Sequence, residues 1–383
     1  METLTLPDNA KQKTLTTIQW KQLGSLAALY GSIMVGWIAY QNYQPRLLAQ
    51  FRFTGFTYFL TAAQAVIVMI TPLIAGRLGD RYRFEKGHRL PVISAGISFA
   101  AMVFMAVAFT LLGAPWDALR WALPVLIVCW LIAMSTFTSP ALSTLELFTP
   151  VEKLPHAMAI LTITANVVSS LEPVIVDIID RLGAPVTFML GGIAVFFSGY
   201  ALKKHSLGLF KKNADRESEP EAGAPARSSY ALILFAGLAL GVATTILFNV
   251  LPALLQQKVG DLVAVDGKGM LVGILLLSAM LSWPVGKLAG TRGFARMFVI
   301  SFIFTLIATL ALLLTTSSLL SVILAALYAV SFTSLSVVGL PLAISRAAYA
   351  EKVFCVGIFF AGVAVPEGVW DLFLQGYNPA PGL

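Results

Sequence analysis

Two carboxylates stand in otherwise apolar stretches, and each has a proline beside it: Glu172-Pro173 and Pro366-Glu367. An ionised carboxylate in hydrocarbon costs about 3 kcal/mol or more, so such a group faces a watery cavity or carries a proton. The chemistry this allows is uptake of a proton or a cation. Proline frees a backbone carbonyl and can kink a helix, which is tolerated where a cavity or another helix satisfies that carbonyl. Asp371 follows Glu367 by four residues and therefore continues the polar face of a helix. The alternative for the glutamates is a structural one, capping backbone groups or pairing with Arg46. Asp177 and Asp180, beside Arg181, read as solvated boundary charges, and Glu146 is expected to pair with Arg77 or Lys153. A second set is neutral: Trp37, Gln41, Asn42, Gln44, Gln64, Asn166 and Asn249. Amides and aromatic rings inside the membrane could bind a polyol; equally, they could join helices or form an interfacial belt.

The elements that must carry these groups are membrane helices. The chain is 58% hydrophobic and only 12% charged, about half the charge of a soluble protein. Apolar runs of helix-spanning length fall near 23–43, 55–76, 91–112, 120–140, 156–179, 185–202, 229–252, 269–288, 297–315, 318–342 and 353–375, which predicts eleven spans. Glu172 then lies about 24 Å along the fifth span at the usual rise per residue, and Glu367 at a matching depth in the eleventh. The first 22 residues are polar and show no signal-peptide core, so the first span is expected to act as the targeting signal. Of the 26 Lys and Arg, 20 fall on the side of the N-terminus and 6 on the other. This bias predicts a cytoplasmic N-terminus, with a bacterial inner (plasma) membrane as the expected setting. It also accounts for the net charge of +7 without a nucleic-acid partner.

Other function classes find no support. Cys129 and Cys355 both sit in apolar segments and suit packing. His88, His156 and His205 all lie at the cytoplasmic boundary. The sequence has no metal-ligand spacing, no phosphate-binding Gly-x-x-x-x-Gly-Lys-Ser/Thr run and no nucleophile elbow. No cofactor is expected, nor any enzymatic activity.

The chain also repeats itself. Asn42-Tyr-Gln-Pro45-Arg-Leu47-Leu48-Ala-Gln50 matches Asn249-Val-Leu-Pro252-Ala-Leu254-Leu255-Gln-Gln257 at an offset of 207 residues. Phe137-Thr138-Ser139 matches Phe332-Thr333-Ser334 at an offset of 195, as do Glu172 and Glu367. Such duplication predicts two bundles, 1–202 and 229–383, joined by a hydrophilic linker at 203–228. The counterpart of the sixth span would begin near residue 380, so the twelfth helix is expected to be absent, by nature or by truncation. Membrane proteins of two repeated halves are most often carriers that open alternately to each side.

One loop adds a resemblance. Gly76-Arg-Leu-Gly-Asp80-Arg81 followed by Gly87-His88-Arg89-Leu-Pro91 resembles the signature loop of the major facilitator superfamily. Its longer spacing is similar to that of glycoside–pentoside–hexuronide symporters and sucrose carriers. The resemblance implies an all-α membrane fold of two bundles. It also implies a gate in which Asp80 latches the halves near the start of the eleventh span, close to Lys352. Gly76 and Gly79 suit close helix approach, and Asp80 can accept from Arg81 or Arg89 or face a helix N-terminus. The corresponding loop of the second copy, Gly286-Lys-Leu-Ala-Gly-Thr-Arg292, has no Asp, so the latch would be one-sided. Sugar carriers of this kind usually place acids on the first two helices, whereas 23–76 contains neither Asp nor Glu. The expected function is proton-coupled transport of a small polar solute, such as a sugar or glycoside. The alternatives are export of amphipathic compounds, or a non-transporting accessory subunit resembling light-harvesting assembly factors.

Overall fold

The computed structural model describes residues 17–53, 55, 57–112, 121–213, 225, 227–260 and 265–375. Among these the secondary structure is helical. The first four long helices are α1 (Trp20–Gln50), α2 (Thr57–Lys86), α3 (Leu90–Leu112) and α4 (Ala122–Ser143), the last followed by a short turn at Leu145–Phe148. Next come α5 (Leu154–Ser170), α6 (Glu172–Leu182) and α7 (Ala184–Asn213). The second half holds α8 (Tyr230–Thr245), α9 (Leu251–Val259), α10 (Gly267–Arg292), α11 (Phe294–Leu314), α12 (Ser318–Ser345) and α13 (Lys352–Trp370). Among the described residues ten helices, counting α8–α9 as one, are long and apolar enough to cross a membrane, and the bent pair α5–α6 makes up to eleven.

Prolines decide where the helices deviate. The sequence suggests one continuous helix over 156–179, but the chain turns by 59° between α5 and α6. Pro173 thus becomes the second residue of a new helix, where its missing N–H costs nothing. In the seventh span, α8–α9, Pro252 has no N–H and its ring crowds the carbonyl four residues earlier. The backbone absorbs this as a π-helical segment, Ile246–Val250, ahead of α9. Pro366, in contrast, stays inside α13, which ends in a second π segment, Asp371–Gln375.

The sixth span runs further than the hydropathy suggests. α7 continues past residue 202 to Asn213, because Ser206 and Phe210 are buried. Phe210 packs against His88 at 5.9 Å, and Ser25 meets His205 Nδ1 at 2.7 Å. The first part of the expected linker is therefore helical. Residues 214–224 and 226 of that linker lie outside the described residues, as do 376–383.

Two groups of helices follow from the packing. α1 lies on α5 and α7, and α3 lies between α4 and α7; in the second group α12 contacts α8, α10 and α11, and α8 contacts α13. The groups meet along two seams, α2 with α13 and α5 with α10. Small residues let backbones touch: a β-carbon added at Gly96 would lie 2.7 Å from Phe137 Cβ, and one at Gly237 would collide with the Phe359 carbonyl. Trp130, Phe104, Phe137, Tyr328, Phe298 and Phe359 fill the interior. Met102, Phe109, Phe197, Leu310 and Leu314 are exposed on the outside, which suits a lipid surround.

Candidate functional site

The α2–α13 seam is a backbone contact over much of its length. A β-carbon at Gly76 would lie 2.7 Å from Phe354 Cα, and one at Gly79 would lie 2.8 Å from Val353 Cγ1. Gly357 sits against the Pro72 carbonyl, and further along Gly368 faces Ala65. This approach carries Asp80, only 7% exposed, to the first turn of α13. Its Oδ1 accepts from Val353 N at 3.0 Å and its Oδ2 from Phe354 N at 2.8 Å. The first amides of a helix have no intrahelical acceptor, and the helix dipole favours negative charge there. A carboxylate supplied by another helix meets both needs.

Beside Asp80 runs a buried charge chain. Arg89, wholly inaccessible, donates to Ser143 Oγ at 2.7 Å and to Glu146 Oε1 at 2.8 Å. Lys352 Nζ lies 2.7 Å from the other oxygen, Glu146 Oε2. Glu146 thus joins α3 of the first group to the start of α13 in the second. The expected partners Arg77 and Lys153 are not the ones it takes. Arg77 stands 4.7 Å over the Phe354 ring. Arg83 donates to the Tyr349 carbonyl at 3.0 Å and lies 4.2 Å from that ring's centroid. Asp80 likewise takes the amides instead of Arg81, which turns outward to Glu85 at 2.6 Å. Gly87 closes α2 with φ +76°, a conformation that glycine adopts without strain.

Deeper in the membrane, the α5–α10 seam carries a neutral bridge. Asn166 Nδ2 donates to Ser278 Oγ at 2.7 Å, and Thr333 Oγ1 of α12 lies 2.7 Å from the same oxygen. Asn166 was legible as a polar intramembrane residue; Ser278 was not, because a lone serine among apolar residues is common. Thr333 did belong to the repeated Phe-Thr-Ser phrase. In the first copy of that phrase Ser139 lies 3.4 Å from the Val353 carbonyl, so it too sits at a seam.

The aromatic residues gather within the first group. Tyr40 stacks on Trp130 at 4.4 Å and 10°, and Trp37 meets Trp130 edge-on at 5.1 Å. Tyr40 Oη donates to Gln64 Oε1 at 3.0 Å. Gln44 lines a small crevice with Tyr40, Trp130 and Phe188. The remaining amides part company. Asn42 donates to Asp180 Oδ1 at 3.0 Å, beside Arg46 at 2.7 Å, so it belongs to an exposed ion pair, and Arg46 serves Asp180 instead of Glu172. Gln41 is exposed, and Asn249 is half-buried in the π segment.

The carboxylates lie away from the Asp80 end. Glu172 sits at the corner between α5 and α6, half-buried. Glu367 is exposed in α13, and Asp371 opens the π segment beyond it. Among the described residues none of the three is in an ion pair. His, Cys, Asp and Glu form no group able to hold a metal ion among the described residues.

Solved structures that share this architecture include two transporters. The human organic anion transporter MFSD10 (TETRAN) aligns with a TM-score of 0.66 at 11% identity, covering 93% of this chain and 94% of that one. The proton:xylose symporter XylE, bound to 6-bromo-6-deoxy-D-glucose, aligns with a TM-score of 0.63 at 10% identity, covering 94% of this chain and 90% of that one. At such identities the likeness is one of fold. No curated protein matches the sequence. The family model described as Major Facilitator Superfamily matches residues 26–366. The chain belongs to the Major Facilitator Superfamily and is a membrane transporter of that all-α fold, with no enzymatic role.

Proposed function

We propose that this chain is a secondary active transporter that moves a small polar solute together with a proton by alternating access. The halves 1–202 and 229–383, linked through 203–228, rock about a central site. The positive-inside bias puts the N-terminus and the Asp80 loop in the cytoplasm. The observation that carries the reading is an asymmetry of charge. At one end Asp80, Arg89, Glu146 and Lys352 bind the halves together across the seam. Towards the other end Glu172, Glu367 and Asp371 are in no ion pair among the described residues. Charges of the first kind suit a gate. Charges of the second kind are free to bind and release a proton as their surroundings change.

The solute class follows from the neutral groups. Asn166, Gln64, Tyr40 and Trp37 offer amide, hydroxyl and aromatic contacts suited to a sugar or glycoside, as does the similarity of the loop spacing to sugar symporters. The same fold serves proton:xylose symport in XylE. Gly76, Gly79, Asp80, Gly87, Arg89, Glu146 and Lys352 form the cytoplasmic gate in this reading, with Arg81 at its solvated edge.

The test has two steps. A thermal-shift screen of the purified protein against sugars, organic acids and amphipathic compounds identifies the solute. Uptake of that solute into proteoliposomes is then measured with and without an inward proton gradient. The expected result is gradient-driven accumulation that Glu172→Gln or Glu367→Gln reduces to simple equilibration. Unchanged coupling in both variants removes the proton role. Absence of any uptake favours the accessory-subunit alternative.

A further inference from the structure

The two seams close the same end of the molecule with different chemistry. Gly76-x-x-x-Asp80 of α2 corresponds to Gly286-x-x-x-Gly290 of α10. Gly286 performs the same close approach: a β-carbon there would lie 2.9 Å from the Pro155 carbonyl oxygen and 3.0 Å from Ala159 Cβ. Four residues on, the likeness stops. Gly290 has no side chain to accept a hydrogen bond, and Pro155 in the first turn of α5 has no amide hydrogen to give. The Glu152 carbonyl oxygen, 3.2 Å from a β-carbon at Gly290, and the ring of His156 fill the space instead. A β-carbon at Gly290 would lie 3.4 Å from His156 Cε1 and 3.7 Å from its Nδ1. The ring stands edge-on to Trp283 of α10 at 6.1 Å, and Trp283 packs on Trp20 at 6.4 Å.

His156 Nδ1 is buried and makes no hydrogen bond among the described residues. The charged groups about it are Lys287 of α10, with its ammonium 5.6 Å from the Trp283 centroid, and Lys153 on its own segment. Glu152 precedes Lys153 and is exposed, and Arg292 ends α10. A neutral imidazole fits this niche as an aromatic plug. An imidazolium brings a positive charge towards two lysines, with an Nδ1–H that has no acceptor among the described residues, and both effects oppose closure. The other histidines lie elsewhere: His88 packs on Phe210 and His205 on Ser25, inside the first half, so rocking of the halves leaves their contacts unchanged.

We propose that His156 is the gating residue of the α5–α10 seam: its neutral ring seals the Asp80 end, and its protonation opens that end. The inference rests on the alternating-access reading and adds to it a response to cytoplasmic pH.

The test uses the full chain with Cys129→Ser and Cys355→Ser, spin-labelled at Arg81→Cys and Ala350→Cys and reconstituted in lipid nanodiscs. Distances are recorded at pH 8 and pH 5.5. Glu172→Gln and Glu367→Gln are included so that these carboxylates cannot supply the response. The expected result is at least a five-fold rise in the long-distance population on acidification. His156→Gln, or His156→Asn should the first fold poorly, abolishes that rise, and His88→Gln keeps it. A response that survives in the His156 variant, or none in the parent, overturns the inference. Asp80→Asn separates the two readings. If it opens the gate at pH 8 while acid does not, the transport reading stands and the His156 role falls. If neither opens the gate, both fall.

Discussion

Asp80→Asn isolates the latch, because the side chain keeps its shape and loses its charge. In the parent, both oxygens accept amides of α13, at 3.0 Å and 2.8 Å. In the variant the amide oxygen can still accept one of them, but the NH2 group meets the other N–H donor to donor. One charge-assisted hydrogen bond is lost, about 1.5–3 kcal/mol. The interaction of the charge with the helix N-terminus is lost as well, typically about 0.3–1 kcal/mol. Part of this returns when water solvates the freed amides, so a net loss of about 2–3 kcal/mol from the closed state is expected. At about 1.4 kcal/mol per factor of ten, the ratio of open to closed rises about 30- to 150-fold. Ser139→Cys, in a background lacking Cys129 and Cys355, reports this ratio. Ser139 is wholly buried and lies 3.4 Å from the Val353 carbonyl across the seam. Its maleimide-labelling rate follows the open population when opening and closing are fast. Arg81→Ala is the control, since its partner Glu85 lies on the same exposed helix face and such pairs contribute about 0.3–0.5 kcal/mol. A labelling rate in Asp80→Asn within two-fold of the parent, or one matched by Arg81→Ala, would refute the reasoning.

The remaining predictions concern the groups around the latch. Glu146→Gln leaves Arg89 and Lys352 buried without their shared carboxylate, so it should destabilise the closed protein by about 3–5 kcal/mol; a clear fall in Tm in detergent checks it, and an unchanged Tm counts against the buried chain. Gly357→Ala drives a methyl into the Pro72 carbonyl and should hold the seam apart, seen as rapid labelling at Ser139→Cys with slow transport. For Asn166→Ala and Ser278→Ala a double-mutant cycle on Tm should return a coupling of about 0.6 kcal/mol, the usual size for a hydrogen bond between membrane helices. A coupling near zero would mean that the Asn166–Ser278 bond does not hold the seam.

How far the sequence reached depends on the kind of group involved. The helices were legible because each is a long apolar run, as in α11 and α12. Asp80 stood out because the positive-inside bias explains Arg and Lys but gives no reason for an acid. The resemblance pointed it to the start of the eleventh span near Lys352, but the particular acceptor contacts were hidden, since the backbone amides of Val353 and Phe354 look the same in every sequence. Glu146 was visible as a charge, but its bonds to Arg89 and Lys352 depend on how α4 crosses α13, and no local spacing encodes that. The break at Glu172 was hidden for another reason. Pro45, Pro72, Pro140, Pro284, Pro341 and Pro366 all stay inside helices, so Pro173 gave no distinct signal. The repeated asparagines show the limit of pattern: Asn42 joins an exposed ion pair, whereas Asn249 lies in a π segment. Physical surroundings, not the shared phrase, decide what each side chain does.

Rocking of two halves is the claim on which the gate, the coupling and the pH response all depend. Paired distance measurements at both ends of one protein population test it most directly. One label pair is Arg81 with Ala350 at the Asp80 end; the other is Gln50 with Val265 at the opposite end, all four exposed. With Asp80→Asn introduced, the first distance should lengthen while the second shortens. Lengthening at both ends together, or no change at the far end, would contradict alternating access in this chain.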